Sequence, residues 1–371
     1  MRILHVITGL QTGGAERMLA RLIIAHKKNH NADHLVVSLT KGGPTEELLR
    51  NLGVTVYYCG LNVYNFPIAF YRLYQVIHRS NPDIVQTWLY HSDLFGGAAA
   101  RMAGVSHVIW GVRSGDIAAT GYNITVLVRY LCALLSSRLP SAIVFASSRS
   151  LKIHRALGYS CRDMLVIQNG YDFNTANRLE VTDRDEFLQY LGLRMEASRR
   201  VITLVARDHP VKGVDYFLNA ANTLSKGIDD YAFILVGRGL DTGNVNLVTK
   251  ISNGGLSENC LILGERADVL EILAHSDLCC MASVSEGFPN VVVEAMSVGT
   301  PCVVTDVGDA AQIVADTGIV VRPEDSEEIV RGIKSFFQLS KSAQMELRRR
   351  AKQRATENFS IENEFSKIIF E

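Results

Sequence analysis

Short apolar runs alternate along the chain with longer stretches in which apolar residues recur every three or four positions. RILHVIT, HLVVSL, VTVYYC and DIVQTWL read as strands, and Ala15 to His26, Glu46 to Leu52 and Ile68 to Arg79 between them read as helices. HVIWGV, SAIVFAS and MLVIQNG continue the series, the last closing on an Asn169-Gly170 turn. This rhythm belongs to βαβ units on a parallel sheet. From about Asp172 to Arg200 the chain turns polar, so residues 173–200 are expected to connect two domains. A second series follows: VITLVA, AFILVG, CLILG, DLCCMA, PCVVTDV and GIVV, with a helix from Tyr216 to Ser225. The fold class is therefore α/β, with two Rossmann-like, doubly wound parallel-sheet domains, 1–172 and 201–355, facing across a cleft. Residues 326–371 are helical in period, and 356–371 are expected to pack back on the first domain as a C-terminal helix.

Composition narrows the function classes. The chain has 371 residues, 47% hydrophobic and 20% charged, and its 38 basic side chains balance 38 acidic ones. Nothing global draws it to nucleic acid or to an anionic membrane. Seven cysteines, odd in number and without CxxC spacing, read as reduced core residues of a cytosolic protein. The start MRILHVITGL resembles a first strand more than a signal peptide. The longest apolar stretch, Tyr122 to Ala146, is broken by Arg129, Arg138 and Pro140, which argues for a buried helix and strand over a membrane span. The basic cluster LRRRAKQR, Leu347 to Arg354, reads as a solvated helix face; peripheral contact with anionic lipid is the alternative.

The candidate chemistry gathers at strand ends. In SEGFPNVVVEAMSVGTP, Glu286 lies in a turn and Glu294 one turn inside a helix expected from Asn290 to Val298. Free N–H groups at that helix start favour an anionic ligand, while carboxylates suit the paired hydroxyls of ribose or hexose. Together these features point to a nucleotide sugar. After the strand VITLVA, Arg207 and Lys212 can clamp a diphosphate, one as a planar fork and the other as a point charge; two solvated loop charges are the alternative. Gly13 and Gly14 precede the first long helix and permit close approach of a ligand, or serve packing alone. His91 and Arg113 each follow a strand, at the edge where open α/β sheets place ligands. VGRGLDTG lacks the dinucleotide glycine spacing, and Asp183 and Asp185 fall in the polar connector, where a solvated loop is the reading over a metal site.

Nearly the whole chain resembles the retaining nucleotide-sugar glycosyltransferases of family 4, which have the GT-B fold. The resemblance rests on GGAER, TWLYHSDLFGG, IWGVR, IQNGYD, VARDHPVKG, FILVGRG, GERADV and above all EGFPNVVVE, similar to the paired-glutamate motif of the family. It implies that Glu286 contacts hydroxyls of the donor sugar, Glu294 the ribose diol, and Arg207 and Lys212 the diphosphate. Phe288, Pro289 and Asn290 would offer backbone groups to sugar and phosphate, and Gly14 would lie beneath the donor. His91 would line the reaction site, and Arg266 would stand where the base is held, largely through backbone contacts. Gly13, Gly237, Gly287 and Val291 complete the implied donor set, with Arg113 on the acceptor side. Asp208 and His209 depart from the pattern by setting an acid and a titratable group between the two cations.

The resemblance further implies a UDP-linked donor, a saccharide or polyprenyl-diphosphate-linked acceptor in bacterial surface polysaccharide or lipopolysaccharide synthesis, and retention of configuration. No metal or other cofactor, no nucleic acid partner and a cytoplasmic location are expected. A sugar-nucleotide epimerase and a non-catalytic donor-binding subunit are the alternatives.

Overall fold

The computed structural model describes residues 1–361 apart from Thr12, His30, Asn31, Val63 and the segments 114–122, 178–182, 194–198 and 227–230. It divides into two units, residues 1–171 with Ile361 onward, and 172–360. All thirteen apolar runs are strands, because parallel strands covered on both faces read as continuous apolar segments.

In the first unit the strands are β1 (Arg2–Ile7), β2 (Asp33–Ser38), β3 (Thr55–Tyr58), β4 (Ile84–Trp88), β5 (His107–Val112), β6 (Ala142–Phe145) and β7 (Asp163–Val166). They form one parallel sheet in the order β3-β2-β1-β4-β5-β6-β7. In the second unit β8 (Arg200–Val205), β9 (Tyr231–Val236), β10 (Cys260–Ile262), β11 (Leu278–Met281), β12 (Cys302–Thr305) and β13 (Ile319–Val321) run in the order β10-β9-β8-β11-β12-β13. Each order reverses once, between β1 and β4 and between β8 and β11. Such switch points, beyond the carboxyl ends of the strands, are where open α/β sheets hold ligands.

Three sequence expectations change. Residues 184–193, expected within a connector, belong to the second unit: Phe187, Leu188, Leu191 and Leu193 pack on Val201, Ala232, Ile234 and Ile272. Arg184 fastens them further by an ion pair with Asp277 at 2.5 Å. Asp183 is neither a loop residue nor a metal ligand; its carboxylate accepts from the Asp185 and Glu186 amides at 3.0 Å and caps the helix Arg184–Tyr190.

The basic cluster is not a free solvated face. On the helix Lys341–Asn358, Arg348 donates to the carbonyls of Ser276 (2.9 Å) and Asp277 (3.2 Å), and Arg354 to those of Gln312 and Ile313 (2.7 Å each). Arg350 pairs with Asp316. These guanidiniums satisfy carbonyls left over at helix ends. That helix stays in the second unit to Asn358, so the expected boundary at 355 falls inside it. Ile361 joins the first unit, donating its amide to the Tyr171 carbonyl and packing among Ile7, Leu10 and Trp88. Residues 362–371 of the expected C-terminal helix lie outside the described residues.

The stretch Tyr122 to Ala146 also departs from expectation. It contains β6, but the helix before it, α5 (Asn123–Leu135), buries only Val128 and Cys132 in the core and turns its other apolar side outward. All seven cysteines are free thiols.

The first unit carries a buried histidine pair. The Trp88 indole N–H points at His5 Nδ1 (3.4 Å), which must accept; neutral His5 then carries its proton on Nε2 and donates to His34 Nδ1 at 3.0 Å. Burial first, and neighbouring histidines second, hold the His5 pKa well below its usual value, and burial lowers that of His34 to about 4. The unfolded chain thus takes up protons below about pH 6.5 that the folded chain refuses, so stability complete above that pH is lost as pH falls toward 4. The urea midpoint is expected to drop between pH 7.5 and 5, and to drop less in His34→Phe. A midpoint equally pH-dependent in both proteins rules the pair out as the cause.

Candidate functional site

The switch point of the second unit brings two of the candidate side chains into contact. β8 ends at Val205 and the chain passes through Arg207 into a 3₁₀ turn, Pro210–Lys212, before α9 (Val214–Ser225). β11 ends at Met281, and Ser283 to Pro289 lead into α12 (Asn290–Ser297). β8 and β11 are hydrogen-bonded neighbours, Leu278 beside Ile202, so both loops rise from adjacent strand ends. The amide of Val284 donates to the carbonyl of Val211 at 2.8 Å and stitches the loops together. Lys212 Nζ then meets Glu286 Oε1 at 2.5 Å, both side chains partly shielded from solvent. Ser283 Oγ donates to the same oxygen at 2.7 Å.

Three glycines make this approach possible. Gly213 has φ 64°, and a Cβ there would lie 1.9 Å from the Ala282 carbonyl oxygen. Gly237, ending β9 with φ 137°, passes so close beneath the β8 loop that a Cβ would meet the Ala206 oxygen at 1.8 Å. Gly308, φ 57°, packs on the carbonyls of Glu286 and Gly287, and the Gly287 oxygen also accepts from the Asp309 amide at 3.2 Å. Side chains at these points would push the loops apart.

The remaining donor candidates surround the pair. Arg207 is exposed at the end of β8. Asp208 is drawn aside by Asn244, whose Nδ2 donates to its carboxylate at 2.7 Å. His209 spends its Nδ1 on the Val211 amide (3.3 Å), and burial together with the nearby Arg207 and Lys212 charges lowers its pKa. The two residues that depart from the family pattern thus have local structural work. Phe288 is buried edge-on against Phe359, ring centres 5.9 Å apart, which anchors the approach to α12. Pro289 and Asn290 open that helix, Val291 follows, and Glu294 sits half-buried one turn on. Arg266 forms a two-pronged pair with Asp268, at 2.8 and 2.6 Å, leaving backbone groups of its loop as the available donors and acceptors.

Gly13, Gly14, His91 and Arg113 belong to the first unit, at the edge of its own switch point. Gly14 begins α1 (Gly14–Asn29) after β1, and His91 is the second residue of α4 (Tyr90–Met102) after β4. The β1 and β4 loops meet through the hydroxyls of Thr8 and Ser92, 3.2 Å apart. A Cβ on Gly13 would meet only the flexible Glu16 side chain, so this glycine is not imposed by the backbone. Leu89 is: its φ of 73° with ψ 156° is a conformation L residues avoid, held by its N–H on the Gly111 carbonyl, and it turns the chain sharply into α4. Burial lowers the His91 pKa, so its imidazole is neutral near pH 7. Arg113 lies 5.1 Å over the Trp88 ring and donates to Asn169 Oδ1 at 2.9 Å, which makes it a brace between the ends of β5 and β7.

Two participants escape a reading of the sequence. Ser283 stands three residues before Glu286, a spacing that signals nothing without the turn between them. Asp93 is fully buried behind His91, accepting from Thr87 Oγ1 (2.5 Å) and the Gly111 amide (3.2 Å); burial raises its pKa to about 7 against the pull of those bonds.

The comparison with known proteins agrees with this architecture. A model of glycosyltransferase family 4 matches residues 12–175, and one of glycosyl transferases group 1 matches residues 199–338. The chain is similar to the UDP-Gal:alpha-D-GlcNAc-diphosphoundecaprenol alpha-1,3-galactosyltransferase of Escherichia coli, 27% identical over 70% of this chain and 68% of that protein. It is also similar to the N,N'-diacetylbacillosaminyl-diphospho-undecaprenol alpha-1,3-N-acetylgalactosaminyltransferase of Campylobacter jejuni, 25% identical over 86% of each. Among solved structures, Anabaena HepE in complex with UDP-glucose superimposes with a TM-score of 0.84 at 24% identity, covering 99% of this chain and 98% of that one. With one family model on each Rossmann-like unit, this chain belongs to glycosyltransferase family 4 and has the GT-B fold.

Proposed function

We propose that the chain transfers a sugar from a UDP-linked donor to a saccharide carried on a polyprenyl diphosphate, with retention of configuration and without a divalent metal, at the cytoplasmic face of the membrane in surface polysaccharide synthesis. The observation that carries this reading is the Lys212–Glu286 pair at the switch point, with Arg207 beside it on the same loop as Lys212. The donor class is supported by the UDP and UDP-glucose complexes of Anabaena HepE, and the acceptor class by the diphospho-undecaprenol substrates named for the two bacterial relatives.

In the free protein Glu286 compensates the charge of Lys212. When the donor enters, its diphosphate offers the ammonium a second anionic partner, and the carboxylate can accept from sugar hydroxyls. As the glycosidic C–O bond breaks, its electron pair moves onto the β-phosphate oxygen. Arg207, Lys212 and the N–H groups at the start of α12 oppose that growing charge, each such donor contributing about 3 to 4 kcal/mol in the transition state. The acceptor hydroxyl attacks from the same face, and its proton passes to the departing diphosphate. Glu294 is assigned to the ribose diol and the backbone around Arg266 to the base. Gly237 and Gly287 shape the loops, Phe288 to Val291 aim the helix, and His91 with the Gly13–Gly14 loop lines the other unit's share of the site.

A thermal-shift screen of UDP, GDP and their sugars tests the donor: UDP compounds should raise the melting temperature and GDP compounds leave it unchanged. The reverse order overturns the base assignment. Transfer is expected to continue undiminished in excess chelator, because cationic side chains take the place of a divalent ion. Loss of activity on chelation, restored by magnesium or manganese, refutes the metal-free mechanism.

A further inference from the structure

The helix α5 presents an unusual surface. Ile124, Leu127, Leu131 and Leu134 lie on one side of it at intervals of three and four residues, with Tyr130 beside them. Their side chains are 65%, 59%, 38% and 74% exposed, and Tyr130 is 54% exposed. An apolar stripe of this kind on a monomer marks a contact surface.

The charges around it are one-sided. From Ile117 to Arg162 the chain contains no aspartate or glutamate, while Arg138, Arg149, Lys152, Arg155 and Arg162 are all exposed. The chain as a whole has no net charge, so this excess is local. Arg149, Lys152 and Arg155 recur at i, i+3 and i+6 on α6 (Ser148–Ala156). The strands β4, β5, β6 and β7 are laid down in one direction, and right-handed crossovers place α4, α5 and α6 on the same face of the sheet. The apolar stripe and the cation row therefore share one layer of the first unit, and both helices pack on its common core, through Val128 and Cys132 and through Leu151.

We infer that this α5–α6 face docks the enzyme on an anionic lipid surface. Apolar side chains with an aromatic at their margin enter the interface while adjacent cations meet phosphate headgroups, the pattern of a helix lying on a membrane. At 13 residues α5 is too short to cross a bilayer, which takes about 20. A second copy of the chain fits less well, because a two-fold contact would bring the cation row near its own copy with no acid in this segment to answer it. The inference rests on the proposed lipid-linked acceptor for its purpose, and on the stripe and the charges for its place. The helix Lys341–Asn358, with its arginines bound to carbonyls and carboxylates, is not required.

Co-sedimentation with vesicles tests it. The protein should pellet with phosphatidylethanolamine vesicles containing phosphatidylglycerol and far less with pure phosphatidylcholine, and added salt should weaken the binding. Leu127→Ser with Leu134→Ser, and separately Arg149→Glu with Lys152→Glu, should each lower partitioning by roughly tenfold or more. UDP calorimetry on both variants should match the parent, showing that the fold is kept; failure of UDP binding in the parent itself would count against the donor reading and leave the lipid result standing. The inference is overturned by a parent protein that ignores anionic vesicles or by double variants that bind them as well as the parent does. It is equally overturned if sedimentation analysis shows a dimer that the leucine variant dissolves while vesicle binding is unchanged.

Discussion

Lys212→Ala is expected to lower turnover by about a hundredfold to a thousandfold while the protein stays folded. Its ammonium is the cation closest to Glu286, and it stands at the carboxyl end of β8, where the diphosphate oxygen gains charge as the sugar departs. Removing one such donor typically costs about 3 to 4 kcal/mol at the transition state. The fold should tolerate the change because the 3₁₀ turn is held by its backbone, through Val284, and by the His209 cap, not by the ammonium. Without Lys212 the partly shielded Glu286 keeps its bond from Ser283. Steady-state kinetics with circular dichroism as control give the answer, and turnover equal to the parent's removes Lys212 from the mechanism.

The two glutamates should separate by what they bind. Glu286→Gln keeps an acceptor oxygen but loses the charge, weakening a hydrogen bond to the donor sugar by about 1 to 3 kcal/mol. Turnover should suffer, because that sugar carries the developing positive charge. UDP should bind this variant normally or somewhat tighter, since Lys212 loses its internal partner and is left for the diphosphate. Glu294→Gln should instead weaken UDP itself, as the ribose contact changes little between ground and transition states. Calorimetry of UDP with both variants decides the matter: equal losses, or the larger loss in Glu286→Gln, would show the two carboxylates to be wrongly assigned.

How much of this a reader of the sequence could see depends on the range of the interaction. All thirteen strands were legible, because a strand covered on both faces leaves an uninterrupted apolar run. Both carboxylates and both cations were legible too, since each follows a strand end. Their pairing was not: Lys212 and Glu286 are 74 residues apart, and only the strand order that sets β8 beside β11 brings them together. The segment 184–193 was misread because its polar composition hides four apolar residues on one side of a short helix. LRRRAKQR was misread for a related reason, since nothing local says that Arg348 and Arg354 will find carbonyls 71 and 41 residues away. The helix α5 shows the opposite failure: apolar residues on both its sides suggest burial, and only exposure separates the core side from the outer one.

The route of the chain has a practical meaning for protein engineering. Every residue of the candidate donor site in the second unit falls in one uninterrupted segment, which leaves the first unit after Tyr171 and returns to it at Ile361. The donor half is thus a cassette with two joints. A chimera that exchanges it between relatives needs both cuts: a single crossover near Asp172 would also replace Ile361, a side chain that the core around Ile7, Leu10 and Trp88 is shaped to receive. Recombination of donor and acceptor specificities in such chains is for this reason a matter of insertion, not of joining two halves end to end.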